Sequence, residues 1–114
     1  MELNRILKAV CEATNISEQQ IISKCRLKEV ALARHLYFYT SCKETSKSLN
    51  IIGKFVNRNH ATVIYGNNKI TYELEYYPEI SKYVKSINCI LRNIDIKWLN
   101  YHTINNNINI SHVL

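Results

Sequence analysis

Apolar positions recur at helical spacing along most of the chain. Leu3, Ile6, Leu7, Val10 and Cys11 return at steps of three and four, which predicts a helix from Leu3 to about Thr14 with one buried face. After Asn15 and Ile16, Ser17 with Gln20 three residues on is a capping-box signature, opening a helix of about two turns that contains Ile21 and Ile22. Ser23 to Glu29 breaks the period and holds Lys24, Arg26 and Lys28, so it reads as a basic loop or helix end. From Val30 to about Thr45, Val30, Ala33, Leu36, Tyr37 and Thr40 share one stripe of a long central helix. Consecutive aromatics must point round a helix, so Tyr37, Phe38 and Tyr39 are expected in or near the core. Ser48 is a good N-cap for a helix from Leu49 to Phe55, and residues 56 to 59 form a tight polar break. Asn59 or its neighbour then caps a helix in which Val63, Ile70 and Leu74 form the apolar repeat and Ile64 flanks it. His60 and Thr62 occupy the exposed first turn. Short helix, turn and long helix make the helix-turn-helix plan.

Tyr77-Pro78 ends that helix, because the residue before proline avoids the helical region and proline suits the first turn of the next helix. In residues 79 to 93, Ile80, Val84, Ile87 and Leu91 recur at four, three and four, the cleanest amphipathic pattern in the chain. That helix is expected to pack on the preceding ones, and Tyr72, Tyr76 and Tyr77 are expected to pack rather than to stack on bases. Beyond Trp98 an Asn- and Ile-rich segment without charged side chains is expected to be poorly ordered or partner-dependent. Alternatively, Ile104, Ile108 and Ile110 form a strand that pairs with another copy. The pattern as a whole predicts an all-α protein. Residues 1 to 76 form a helix-turn-helix domain, 77 to 99 a C-terminal helix packed on it, and 100 to 114 a flexible tail.

Composition narrows the choices further. A chain of 114 residues has room for about one domain, and two glycines and one proline are too few for a turn-rich sandwich or barrel. Cys11, Cys25, Cys42 and Cys89 have no close pair of metal-ligand spacing, and no secretory signal opens the chain, so they read as reduced small hydrophobes in a cytoplasmic protein. The net charge of +6 predicts an anionic partner, for which nucleic acid and acidic membrane both qualify. Residues 1 to 70 carry 11 Lys and Arg against 5 Asp and Glu, whereas the remainder carries 4 of each, so the whole excess lies in front. These cations are spread over several elements instead of one amphipathic helix, and no apolar run is long enough to span a bilayer, which argues against a membrane.

The segment Arg58-Asn59-His60-Ala61-Thr62-Val63 resembles the G-R-D-H-T-T-V signature of the C-terminal DNA-binding domain of the bacterial chromosomal replication initiator family, DnaA. Ile21-Ile22-Ser23-Lys24-Cys25-Arg26 is similar to the family's L-L-S-K-x-R, and Val30-Ala31-Leu32-Ala33-Arg34-His35 to its V-A-R-P-R-Q. Ser48-Leu49-Asn50-Ile51-Ile52-Gly53 is similar to its S-L-P-E-I-G. Order and spacing agree apart from one residue fewer between Gly53 and Arg58, and roughly residues 6 to 70 are covered.

The resemblance implies an all-helical domain related to the Trp repressor, with its helix-turn-helix in the major groove. His60 and Thr62 match base-reading residues, with Asn59 in place of an aspartate and Ala61 in place of a threonine. Arg26 matches the arginine that enters the adjacent minor groove. Arg34 and His35 match positions that touch DNA, and Leu49 and Asn50 match ones that meet its backbone. Lys43 stands beside Cys42, where the family has a lysine. Lys24, Lys28, Lys47 and Lys54 are candidates for phosphate contact, and Arg58 for positioning the motif. Elementary chemistry agrees with these roles. A helix N-terminus docks on phosphate and presents first-turn side chains to base edges, Asn can read adenine in a bidentate way, and Arg is favoured in a narrow A·T minor groove. The replacements at positions 59 and 61 put the family's usual DNA sequence in question.

Gly53 and Gly66 do not precede a Gly-Lys pair, so a phosphate loop for ATP is missing from this sequence, and no catalytic or metal-binding constellation replaces it. No cofactor or nucleotide is expected. Met1 at the head of a helical pattern suits a complete small protein, and an excised domain fits as well. The leading functional class is therefore a non-enzymatic, sequence-specific binder of double-stranded DNA that regulates replication initiation or transcription. The rival is a protein-interaction adaptor that works through residues 79 to 114 and keeps a vestigial DNA face. A third class is a basic RNA-binding domain.

Overall fold

The computed structural model describes residues 1 to 93 and is all-α over them. Six helices follow in order: α1 Leu3–Thr14, α2 Glu18–Ile22, α3 Lys28–Glu44, α4 Leu49–Lys54, α5 His60–Tyr76 and α6 Pro78–Arg92. The expectations for residues 94 to 114, flexible tail or pairing strand, lie outside the described residues.

Local chemistry sets most boundaries. Asn15 closes α1 in the left-handed conformation (φ 60°), which asparagine tolerates better than most residues, and its N–H donates to Cys11 O. Ser17 and Gln20 form the reciprocal capping box of α2. Pro78 occupies the first turn of α6, where its missing N–H costs nothing. The central helix begins two residues earlier than the apolar period suggests, at Lys28, so Lys28 and Glu29 belong to its first turn and the basic loop shortens to residues 23 to 27. Glu29 there complements the positive end of the helix dipole.

Helix α3 is the axis of the fold. Helices α1, α2, α4 and α5 all pack against it, and this explains burial well beyond one stripe: Arg34, Phe38 and Ser41 are buried with Val30, Ala33, Leu36, Tyr37 and Thr40. Tyr37 is fully enclosed, and its hydroxyl donates to Ile52 O at 2.9 Å, tying α4 to α3. The break after α4 is less polar than it looked, because Val56 is fully buried and plugs the turn into the core.

Helix α6 lies against α1 and α5, and Ile80, Val84, Ile87 and Leu91 join Leu3, Ile6, Leu7 and Val10 in one continuous core. Arg5 donates to Leu91 O, and Arg92 pairs with Glu44 at 2.8 Å, so α6 is fastened to both α1 and α3. The apolar stripe of α6 is thus consumed by the core and is not an open docking face. The tyrosines behave differently from expectation. Tyr72, Tyr76 and Tyr77 are exposed, and Tyr72 and Tyr76 lean on each other one turn apart, with ring centroids at 4.8 Å.

Candidate nucleic-acid interface

The sequence Ser48 to Thr62 builds a helix, a turn and a helix start from backbone chemistry alone. Ser48 Oγ accepts from Ile51 N at 3.2 Å and caps α4. The turn closes on Gly53, whose carbonyl accepts from Val56 N at 3.0 Å and Arg58 N at 2.8 Å. Asn57 turns the chain in the left-handed conformation at φ 62°. A Cβ at position 53 would stand 2.6 Å from Arg58 O, so the turn requires glycine there. Asn59 then caps α5, its Oδ1 accepting from Thr62 N at 3.0 Å and from the Thr62 hydroxyl at 3.1 Å.

This cap changes the roles open to two residues. With both lone pairs of Oδ1 engaged, Asn59 retains its NH2 as a donor but cannot read adenine in a bidentate way without giving up the cap. Thr62 is half-buried with its hydroxyl turned to Asn59, whereas His60 and Ala61 stand exposed in the first turn. Ile64 is exposed one turn beyond His60, so the accessible face continues past the residues the motif singles out. The signal was present in the sequence, since Ile64 falls off the Val63, Ile70 and Leu74 stripe.

Lys24 and Arg26 are exposed on the loop, Lys28 in the first turn of α3, and Lys47, Leu49, Asn50 and Lys54 around α4. Lys43, also exposed, holds its ammonium 6.0 Å over the Tyr39 ring. Two expected contacts, Arg34 and His35, sit elsewhere, and Arg58 is also turned to protein. Arg34 is 7% exposed and its guanidinium faces inward onto backbone carbonyls of α2 and the loop, so it is not presented to a duplex. Arg58 likewise donates to protein carbonyls, at Ile22, Ser23, Val56 and Asn57. His35 is half-buried where α3 crosses α5, its ring set edge-on to Tyr65 at 5.6 Å, and a Cβ on Gly66 would press to 2.9 Å from it. Burial, assisted by Lys69 and Arg34, pushes the His35 pKa down to about 4, so the imidazole is neutral near pH 7. It lines a groove of about 870 Å³ with Lys28, Lys69 and Tyr72.

A capped recognition helix with an accessible first turn, set behind a short helix and beside a cationic loop, defines a helix-turn-helix DNA-binding domain. Comparison with known sequences makes the assignment specific. The family described as bacterial dnaA protein helix-turn-helix matches residues 3–70, and the chain belongs to that family. It is 45% identical over 83 residues to the chromosomal replication initiator protein DnaA of Thermodesulfovibrio yellowstonii, covering 72% of this chain and 19% of that one. It is 33% identical over 94 residues to the protein of the same name from Oleidesulfovibrio alaskensis, covering 82% of this chain and 20% of the other. The chain therefore spans about a fifth of the length of these relatives. Among the described residues, no helix is long and apolar enough to cross a membrane.

Proposed function

We propose that this domain binds a short double-stranded DNA site by sequence, without catalysis of its own, and regulates replication initiation or transcription. The observation that carries this reading is the start of α5: His60 and Ala61 are exposed on a helix N-terminus that Asn59 caps, and Lys24 and Arg26 on the loop and Lys47 and Lys54 around α4 are exposed as well. Such a terminus attracts phosphate through its free N–H groups and positive dipole end while its first side chains meet base edges. His60 is the principal reader, Ala61 offers a methyl to thymine, and Ile64 extends the apolar contact along the groove. Thr62 and Asn59 hold the first turn, and the Asn59 NH2 is available to a base acceptor. Arg26 enters the adjacent minor groove from its loop. Lys24, Lys28, Lys43, Lys47 and Lys54, with Leu49 and Asn50 at the start of α4, set the register on the backbone.

Selection of bound sequences from a random duplex library tests this. A single enriched motif is expected, and His60→Ala should cost about 1 to 3 kcal/mol on that motif and far less on random duplex. Recovery without enrichment would leave only nonspecific binding, and equal losses on both duplexes would remove His60 as a reader.

A further inference from the structure

Helix α2 is five residues long and ends in carbonyls that have no intrahelical donor, next to a loop whose own bonds are local. Within the loop, Cys25 N donates to Ser23 Oγ at 3.2 Å, and Ser23 Oγ donates to Gln20 O at 2.7 Å. Its two ends are tied by backbone bonds, Ser23 N to Gln19 O at 3.0 Å and Ala31 N to Leu27 O at 2.9 Å, and the side chains that reach it from outside are two arginines on different elements. Arg34, from α3, donates through Nε to Ile21 O at 2.8 Å, and through one terminal nitrogen to Gln20 O, Ser23 O and Cys25 O at 3.2 to 3.3 Å. Arg58, from the helix-turn-helix turn, donates to Ile22 O at 3.1 Å and Ser23 O at 2.5 Å. The same guanidinium also meets Val56 O at 3.1 Å and Asn57 O at 3.2 Å inside that turn. The two forks therefore converge on Ser23 O, and Arg58, itself the residue before the α5 cap, joins the loop directly to the turn.

Resting on the duplex-binding reading above, we propose that Arg34 and Arg58 are paired positioning residues that hold the Arg26 loop at a fixed distance from the recognition helix. Both grooves of one duplex are then engaged together. The arrangement answers the physical problem of the site. A five-residue loop carrying cations gains nothing from the core, and free it would lose its ordering entropy on binding. The carbonyl dipoles at the α2 terminus attract cations, and a planar guanidinium can serve several of them at once. Lysine offers the same charge without the fork, which separates positioning from attraction to phosphate.

The test is a double-mutant cycle on the enriched duplex with the intact chain. Arg26→Ala should weaken wild-type binding about tenfold, the size of one good groove contact, but less than about threefold in an Arg58→Lys background. His60→Ala should cost the same in both. Replacing adenine by 2,6-diaminopurine, which adds a minor-groove amino group, should penalise wild type and leave Arg58→Lys nearly indifferent. Arg34→Lys provides an independent second cycle, and thermal unfolding checks that each variant folds. Equal Arg26→Ala penalties in wild type and in the lysine variants overturn the proposal while leaving duplex binding intact. Failure of wild type to prefer any duplex overturns both readings. A measurement on unsubstituted protein stands beside these. The guanidinium NMR signals of Arg34 and Arg58 should be resolved and unmoved by duplex, and a large shift on binding would mean that they contact phosphate instead.

Discussion

Substituting Gly53 by alanine opposes two effects of known sign. Gly53 is inside α4, where alanine is favoured over glycine by about 1 kcal/mol, so propensity alone predicts a more stable protein. The turn predicts the reverse. The new Cβ would lie 2.6 Å from Arg58 O and 3.1 Å from both Asn59 O and Val63 Cγ2. Carbon and carbonyl oxygen ordinarily approach to about 3.3 Å, so the turn would have to open by about 0.7 Å. It cannot open freely, because Arg58 N is held to Gly53 O at 2.8 Å and Val56 is sealed in the core. Overpacking of this kind costs about 1 to 3 kcal/mol, and the obstacle here is backbone, which places it at the upper end. After the propensity gain, a net loss of about 1 to 2 kcal/mol remains, a fall in melting temperature of roughly 5 to 15 °C for a domain of this size. Thermal unfolding followed by circular dichroism measures it. Gly66→Ala is the comparison in which the obstacle is side chains instead of backbone carbonyls: its Cβ would meet the buried Phe38 ring at 2.7 Å and the His35 ring at 2.9 Å. A Gly53→Ala protein that melts at or above wild type would refute the claim that backbone contact in the turn outweighs helix propensity.

Other consequences are equally direct. Tyr37→Phe leaves Ile52 O without its buried donor and should cost about 1 to 3 kcal/mol by denaturant unfolding, with little cavity to blur the result. The imidazole of His35 should titrate by NMR near pH 4 instead of 6.5. Because the unfolded chain takes up this proton first, stability should fall as the pH drops from about 6.5 toward 4, and His35→Gln should flatten that part of the profile. A midpoint at the ordinary histidine value would contradict the packed, neutral ring. Lys54→Ala, at an exposed position, should weaken duplexes of all sequences alike and reduce the log-log salt slope by about 0.9, as expected for one phosphate contact. An unchanged slope would show that Lys54 is merely solvated.

The helices were legible because their signals are local. Ser17 and Gln20, Ser48, Asn59 and Tyr77-Pro78 act within a turn of their own backbone, and the structure puts helix boundaries at each. Where the α3 boundary moved by two residues, no cap was there to be read: Leu27 makes no side-chain bond to the helix. Burial was fully legible only for helices packed on one face, and for α3 the predicted stripe is buried but is not the whole of what is buried. The stripe of α6 is buried as the period predicts, whereas α3, enclosed from several directions, shows almost no preferred face, and Arg34 inside it passed for a surface cation. Tyr72, Tyr76 and Tyr77 erred the other way, since aromatic character suggests burial and all three are exposed, Tyr72 and Tyr77 on the rim of the groove beside α3.

The sequence alone determined the order of the helices, their caps, the helix-turn-helix plan and the family, all properties of short windows and their spacing. Tertiary structure decided how the cations divide. Lys24, Arg26, Lys47 and Lys54 stay in water, while Arg34 and Arg58 turn inward to the carbonyl end of α2. The physical reason is that a guanidinium goes where unpaired acceptors cluster. Those acceptors lie on α2 and the loop after it, 9 to 36 residues away in the chain, and come within reach only when α3 and the turn before α5 pack against them.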